Sequence, residues 1–375
     1  MNDRYSSSLG QGSLQEGIAS QHKRLHLTYI RAIAACAVVQ MHAIGGYLYW
    51  YGKEAAQFHI QFIVADIYYS LLRWATPFFI MISGALLLGN PKEQPLGVFL
   101  SRRMQRVMIP FVFWGSIYLL YYFRGPLWQG PLPKWSEITY KILYEDIYFH
   151  LWFIPMIAGL YLLTPVLRIW TRAAGRRDLE YFLGLIFLFN MLHHYLPGLL
   201  VVRHFAWFGY IGYYLLGHYL NVYPIGLPWR QWLYIIAAFM PLVSAGIVWW
   251  MSAQKGAYDD TAFVYSSPNI VLMSAAGFVL LRDYNWEHFA QRYPHLHQIA
   301  LYVAEVSFGV YFVHPLILDV LKNGYLGIEI NPHAFLSIPV PIGIGGVLTG
   351  IIATALSVGL ISLLRLSKFV RQWLT

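Results

Sequence analysis

Charge is the first thing this chain lacks. Only 11% of its 375 residues are Asp, Glu, Lys or Arg, against about 25% in soluble domains. Hydrophobic residues make up 58% and the mean hydropathy is +0.49. That balance excludes a soluble globular protein. Cysteine is nearly absent: Cys36 is the single one, which excludes an intramolecular disulfide and a cysteine-ligated metal cluster. The apolar runs do not alternate with polar residues, so a β-barrel is not expected. No tandem repeat, phosphate-binding Walker loop or dinucleotide fingerprint is present. The first twenty residues, MNDRYSSSLGQGSLQEGIAS, are polar and lack the layout of a cleavable signal peptide.

What is present is a succession of apolar segments long enough to cross a bilayer. The reading is an all-α integral membrane protein with about ten spans. They are expected at 27–50, 67–90, 106–123, 149–170, 179–196, 205–222, 230–252, 265–282, 297–321 and 335–364. Residues 1–22 read as a disordered tail, 23–368 as one transmembrane domain, and 369–375 as a short C-terminal end. The net charge is +9, yet nucleic-acid binding is not the reading, because the cations cluster between spans. A cytoplasmic N-terminus places Lys92, Arg102, Arg103, Arg106, Arg168, Arg172, Arg176, Arg177, Arg365, Lys368 and Arg371 on the cytoplasmic side, facing anionic lipid. Both termini are then cytoplasmic. The connection 124–148 is the longest external one, and WSEITYKILYEDIYFH within it suits an interfacial helix.

A few ionisable residues interrupt the apolar segments, and each carries a structural and a functional reading. Arg31 and His42 share the first span, eleven residues apart. At about 100° and 1.5 Å per residue they lie on nearly one face, separated by about 16 Å along the axis. Ionisable groups inside a span face a bundle interior or a wet cavity. His42 is therefore a candidate general base, although a snorkelling Arg31 and a backbone-satisfied histidine are the alternative. In the second span Arg73 needs a partner or water, Pro77 kinks the helix, and Ser83–Gly84 either packs helices or meets a substrate. Arg102, Arg103 and Arg106 suit phosphate oxygens, or merely anchor the third span. Glu305 in the ninth span could orient His42 or hold Arg31 or Arg73. His314 and Pro315 lie nearer its outer face, and His150 follows Glu145 and Asp146 at an external boundary. His193, His194 and His204 share a region without a neighbouring carboxylate, so no metal is expected.

A deep histidine beside a basic mouth fits acyl transfer from a phosphate-bearing donor to a hydroxyl. From these residues alone the ranking against a transporter is close. The order of the motifs then matters. Arg31 and His42 enclose ten residues; Phe78 and Phe79 precede Ser83 and Gly84, with Ile80, Met81 and Ile82 between; RRMQR leads to Ile109–Pro110; HLWFI stands at 150–154 and YFVHP at 311–315. In this order the chain resembles bacterial acyltransferase family 3, the multispan membrane O-acyltransferases of surface polysaccharides, over residues 24–365.

The resemblance implies an acyl-CoA donor, usually acetyl-CoA, bound from the cytoplasm, and a sugar hydroxyl of a polysaccharide or lipid-linked oligosaccharide as acceptor. It implies the bacterial inner membrane, membrane lipids as surroundings, and glycan synthesis or export proteins as partners. By this carry-over His42 is the base and Arg31 supports donor or histidine. Arg102, Arg103 and Arg106 hold the CoA phosphates. Arg73, Ser83 and Gly84 join the donor site and Glu305 the catalytic group on the physical reading. The alternatives are a polytopic transporter or flippase of glycan or small solute, and a non-catalytic partner of a polysaccharide export complex.

Overall fold

With no water in a bilayer core, backbone N–H and C=O groups have to pair within the chain, and an apolar run satisfies this as a helix. The computed structural model accordingly is helical almost throughout. It describes residues 4–53, 60–91, 94–125, 130–144, 147–196, 209–325 and 327–374, with the side chains of 4–24, 50–53 and 144 outside that description. The helices are α1 (Arg4–Lys53), α2 (Ile60–Ser70), α3 (Ala75–Leu88), α4 (Leu96–Tyr122), α5 (Trp135–Tyr144), α6 (Phe153–Ala173) and α7 (Arg176–Tyr195). They continue with α8 (Gly209–Val222), α9 (Leu227–Lys255), α10 (Pro268–Asp283), α11 (Trp286–Arg292), α12 (Pro294–Lys322), α13 (Ile342–Leu364) and α14 (Lys368–Trp373).

The expected spans fall largely on helix among the described residues. Among the described residues, seven segments are long and apolar enough to cross a membrane: Leu25–Tyr49, Ile60–Leu88, Phe153–Ala173, Leu227–Lys255, Thr261–Asp283, Pro294–Lys322 and Ile342–Leu364. The chain is an all-α integral membrane protein. The polar stretch 1–22, expected as a disordered tail, precedes the apolar part of α1, and its side chains lie outside the described residues. The last expected span, 335–364, begins too early. Residues 330–339 form a small antiparallel sheet instead, with β1 (Ile330–Asn331) paired to β2 (Ala334–Phe335) and β2 to β3 (Ile338–Pro339). Asn331 starts its turn by accepting from the backbone N–H groups of His333 and Ala334 at 2.9 and 3.0 Å, an Asx turn that competes with helix.

Local chemistry places the helix ends. Proline occupies the first turn of α9, α10 and α12, where its missing N–H costs nothing. Gly256 closes α9 at φ 66°, the left-handed position that glycine adopts without a Cβ clash. The span Ile60–Leu88 is broken between α2 and α3. Pro77 has no N–H for the carbonyl of Arg73, and the chain there is held by shorter-range bonds such as Leu72 to Tyr69 at 3.1 Å and Ala75 to Leu72 at 3.0 Å. The break leaves Arg73 in a turn inside the bundle rather than on a regular helix.

The centre of the bundle is α1, which packs against α2, α3, α12 and α13. Its apolar face, with Leu27, Ile30, Ala34, Val39 and Ala43, joins one continuous core with α3, α6, α8 and α12. α3 and α8 approach each other closely. A Cβ on Gly84 would stand 1.8 Å from the Tyr214 carbonyl oxygen, and one on Gly217 2.0 Å from that of Met81. Gly84 therefore serves helix packing, and its expected place in a donor site is not where the structure puts it. The contact is one of van der Waals surfaces and small residues, as apolar lipid offers no hydrophobic force to drive helices together.

Candidate active site

Two cavities meet at His42. The first, of about 230 Å³, is lined by Arg31 and His42 of α1, Ser83 of α3, Arg103 and Arg106 of α4, and Ser307 of α12, among others. It reaches from the basic end of the bundle to the middle of α1. The second, of about 550 Å³, opens from His42 toward the other end, where Arg73, Asp319 and Lys322 line it. Trp152 and Tyr265 border both cavities, with ring centroids 5.9 Å apart.

His42 is held by a second histidine. Its Nδ1 lies 2.8 Å from Nε2 of His314 on α12, and the two rings stack with centroids 5.0 Å apart. His314 Nδ1 lies 3.1 Å from the carbonyl oxygen of Val310 one turn earlier. A carbonyl only accepts, so His314 Nδ1 carries the proton and donates. In the neutral pair His314 Nε2 is then the acceptor, and His42 Nδ1 the donor. The remaining nitrogen, His42 Nε2, keeps its lone pair. This tautomer follows from one backbone carbonyl, transmitted through His314. Lys322 further ties α12 to α1, donating to the His42 carbonyl at 3.1 Å, and Phe149 sets its ring edge-on to His42 at 5.1 Å.

His150 is the third histidine here. It is 2% exposed, lines the first cavity, and its ring centroid is 5.7 Å from that of His314. Among the described residues, neither of its ring nitrogens has a hydrogen-bond partner. The turn before α6 and the Tyr311 hydroxyl, donating to the His150 carbonyl at 2.5 Å, fix its backbone. The sequence placed it at an external boundary; the turn folds it inward against the first cavity. Despite three histidines in proximity, no group of His, Cys, Asp or Glu with metal-holding geometry occurs among the described residues.

The basic residues separate into two groups. Arg31, Arg103 and Arg106 share the first cavity, whereas Arg102 is exposed and does not line it. Helix spacing does not decide this, since Arg102 and Arg106, four residues apart, also share a face; the way α4 packs in the bundle turns Arg103 and Arg106 toward the cavity. Arg168 reinforces the same end: its guanidinium donates to the Leu87 carbonyl at 2.7 and 3.1 Å and lies 5.2 Å from the Phe99 ring, with Arg103 at 5.9 Å from that ring. Arg73 belongs elsewhere. Expected in the donor site, it lines the second cavity instead, because it precedes α3, whose opposite end at Leu87 meets Arg168 on the basic side.

Ser83 lines the first cavity but donates its hydroxyl to the Phe79 carbonyl at 2.8 Å. Glu305 is not brought to the site. Its side chain is 59% exposed and pairs with Arg365 of the tail of α13. A carboxylate at the rim of a bundle finds a basic loop residue more cheaply than a buried one. Glu145 and His204, also considered from the sequence, lie outside the described residues; His194 bonds the Thr261 carbonyl at 2.8 Å.

The residues missed as site members are His150 and His314. Both stood in short motifs, HLWFI and YFVHP, but nothing in their spacing from His42 tells that α6, α12 and α1 converge. With this geometry in place the comparison with known proteins is decisive on class. The acyltransferase domain family (acyltransferase family 3) matches residues 24–365, and the chain belongs to that family. No curated protein and no solved structure matches the chain. The protein is thus a multipass membrane protein of an acyltransferase family, with an acyl donor and an acceptor as its substrates.

Proposed function

We propose that the protein is a membrane O-acyltransferase that moves an acyl group, acetyl by preference, from acyl-CoA to a sugar hydroxyl of a surface or exported polysaccharide or its lipid-linked precursor. The observation that carries this reading is the position of His42 at the junction of two cavities of opposite access. In this reading the basic end faces the cytoplasm of a bacterial inner membrane, with both termini on that side. The donor's phosphates rest on Arg103 and Arg106, and its thioester end extends past Arg31 and Ser83 toward His42. Arg31 lies about 16 Å from His42 along α1, so it grips the donor rather than the reacting carbonyl.

The acceptor hydroxyl enters from the second cavity. His42 Nε2 takes its proton as the oxygen attacks the thioester carbonyl carbon. The C–O bond forms, the C–S bond breaks, and the departing thiolate recovers the proton from the His42 imidazolium. The products are an O-acyl sugar and free CoA, with no net proton change. His314 holds the ring so that Nε2 is the basic nitrogen throughout. Direct transfer needs no covalent enzyme intermediate, and Cys36, on α1 outside both cavity linings, offers no nucleophile to them. No metal enters this chemistry.

The test is transfer of label from radiolabelled acetyl-CoA to isolated cell glycan by the purified protein in liposomes, with His42→Ala (H42A) alongside. Label in glycan with the wild type, and none with a folded H42A, supports both the class and the base. Solute flux without any donor dependence would sink the reading in favour of a transporter. Undiminished transfer by H42A would remove the base.

A further inference from the structure

Among the described residues, the second cavity has a charge that its walls do not balance. Arg73 and Lys322 line it as cations and Asp319 as the one carboxylate, two positive charges against one negative. Asp319 is three residues before Lys322 on α12, the spacing of neighbours on one helix face, and accepts the Tyr121 hydroxyl as well. Arg73 stands apart from that pair. Its Nε and Nη2 donate to the Phe263 carbonyl, and its Nη1 to the Tyr69 and Tyr265 hydroxyls at 3.2 and 3.1 Å. All of these acceptors are neutral oxygens. Among the described residues no carboxylate pairs with Arg73. The Tyr265 ring, 4.2 Å from the guanidinium carbon, attracts the cation without cancelling its charge.

This is an arginine fixed in place and left charged. Its hydrogen bonds settle where the guanidinium sits, while its field points into a cavity walled largely by aromatic side chains, where an unmatched charge costs more than in bulk water. A neutral occupant leaves that cost standing; an anionic one removes it and gains a charge-assisted contact. The surrounding aromatic and phenolic side chains, Tyr148, Phe149, Trp152 and Tyr210, offer flat apolar faces and hydroxyls of the kind that suit a sugar ring.

We propose that the second cavity receives an acceptor bearing an anionic group, a carboxylate or a phosphate, close to the hydroxyl that is acylated, and that Arg73 is its receptor. The inference rests on the transfer reading above and deepens it by naming the class of acceptor. The carboxylate source is an acidic sugar of the glycan itself; the phosphate source is the lipid-linked precursor of a neutral one.

The experiment uses the full chain in nanodiscs with acetyl-CoA and three acceptors: a uronic acid methyl glycoside, its neutral parent glycoside, and the neutral sugar on an isoprenyl diphosphate. Acylation is followed by mass spectrometry and acceptor binding, without donor, by thermal stabilisation. The expected result is a KM about tenfold or more lower for at least one anionic acceptor than for the neutral glycoside. R73Q should erase the difference and R73K retain most of it. Preference for the uronic acid assigns the carboxylate source, and preference for the diphosphate assigns the phosphate. Equal use of charged and neutral acceptors by the wild type would overturn the proposal, because Arg73 would then be balanced from within the protein. So would a preference that survives R73Q. The wild-type comparison stands if R73Q fails to fold. If no acceptor is acylated, the transfer reading fails on its own, and the binding comparison still decides the charge preference.

Discussion

The two cavities that meet at His42 are built from different materials. On one side the cations are Arg103 and Arg106, half-buried and exposed on a helix end, with long side chains able to follow a ligand. On the other side Arg73 is clamped by a backbone carbonyl and two phenols in a break of the span. Mobile guanidinium groups suit the loosely placed phosphates of a large donor. A clamped one suits a single group that has to arrive in one position relative to the reacting hydroxyl. Flexibility where a handle is gripped and rigidity where atoms react is what positional catalysis asks for.

That comparison can be broken at its centre. H42A removes the imidazole common to both cavities and should lower transfer by about 10²- to 10⁴-fold, read as labelled glycan per folded protein. Breaking the support instead should cost less. His314→Ala should reduce kcat by about 100-fold, the price of a misplaced reacting group, with the donor KM within about twofold. His314→Gln, whose side-chain oxygen can accept from His42 Nδ1, should recover part of that loss; a purely structural His314 would show no such recovery.

The basic end is sharpened by a pair of donors. R103A/R106A should raise the KM for acetyl-CoA about tenfold and leave kcat nearly unchanged. S-acetyl-pantetheine, which lacks the nucleotide phosphates, should show no change in KM. An equal effect on both donors would mean that these arginines do not meet phosphate.

Two smaller effects lie outside the cavities. Gly84→Ala drives a methyl group into the Tyr214 backbone and should destabilise the protein by about 1–3 kcal/mol, seen as a lower unfolding temperature in detergent. Gly159→Ala, with nothing within 4 Å of the new atom, is the neutral control. Smallest of all is Glu305→Gln. An exposed pair with Arg365 contributes about 0–1 kcal/mol, so stability and activity should both stay close to wild type. A large loss of activity in E305Q would return this carboxylate to the catalytic group.

The membrane class was legible because it depends on composition and on run length, both one-dimensional. The same holds for Arg31 and His42, which sit on one helix, where spacing alone decides that they share a face. Arg102, Arg103 and Arg106 were legible together as a basic cluster, while the exclusion of Arg102 needed to know which face of α4 turns inward. Pro77 announced a break, but only the fold shows that Arg73 lines the second cavity. Gly84 could be read as packing or as substrate approach, and the arrival of Tyr214 from α8 decides for packing. Glu305 was misplaced for a related reason. A carboxylate in an apolar helix reads as buried until the neighbour at Arg365, sixty residues later, is seen at the rim.

The sequence by itself determined an all-helical chain in a bilayer and the helix that carries His42. Apolar runs, helical periodicity and the need to satisfy backbone hydrogen bonds act locally, so they can be read in order. What the tertiary structure alone decided is the company that histidine keeps. His314 arrives 272 residues later in the chain, His150 from a turn between other helices, and the two cavities exist only as gaps between elements. Contacts of this kind depend on how helices pack in three dimensions, and no spacing along the chain encodes them.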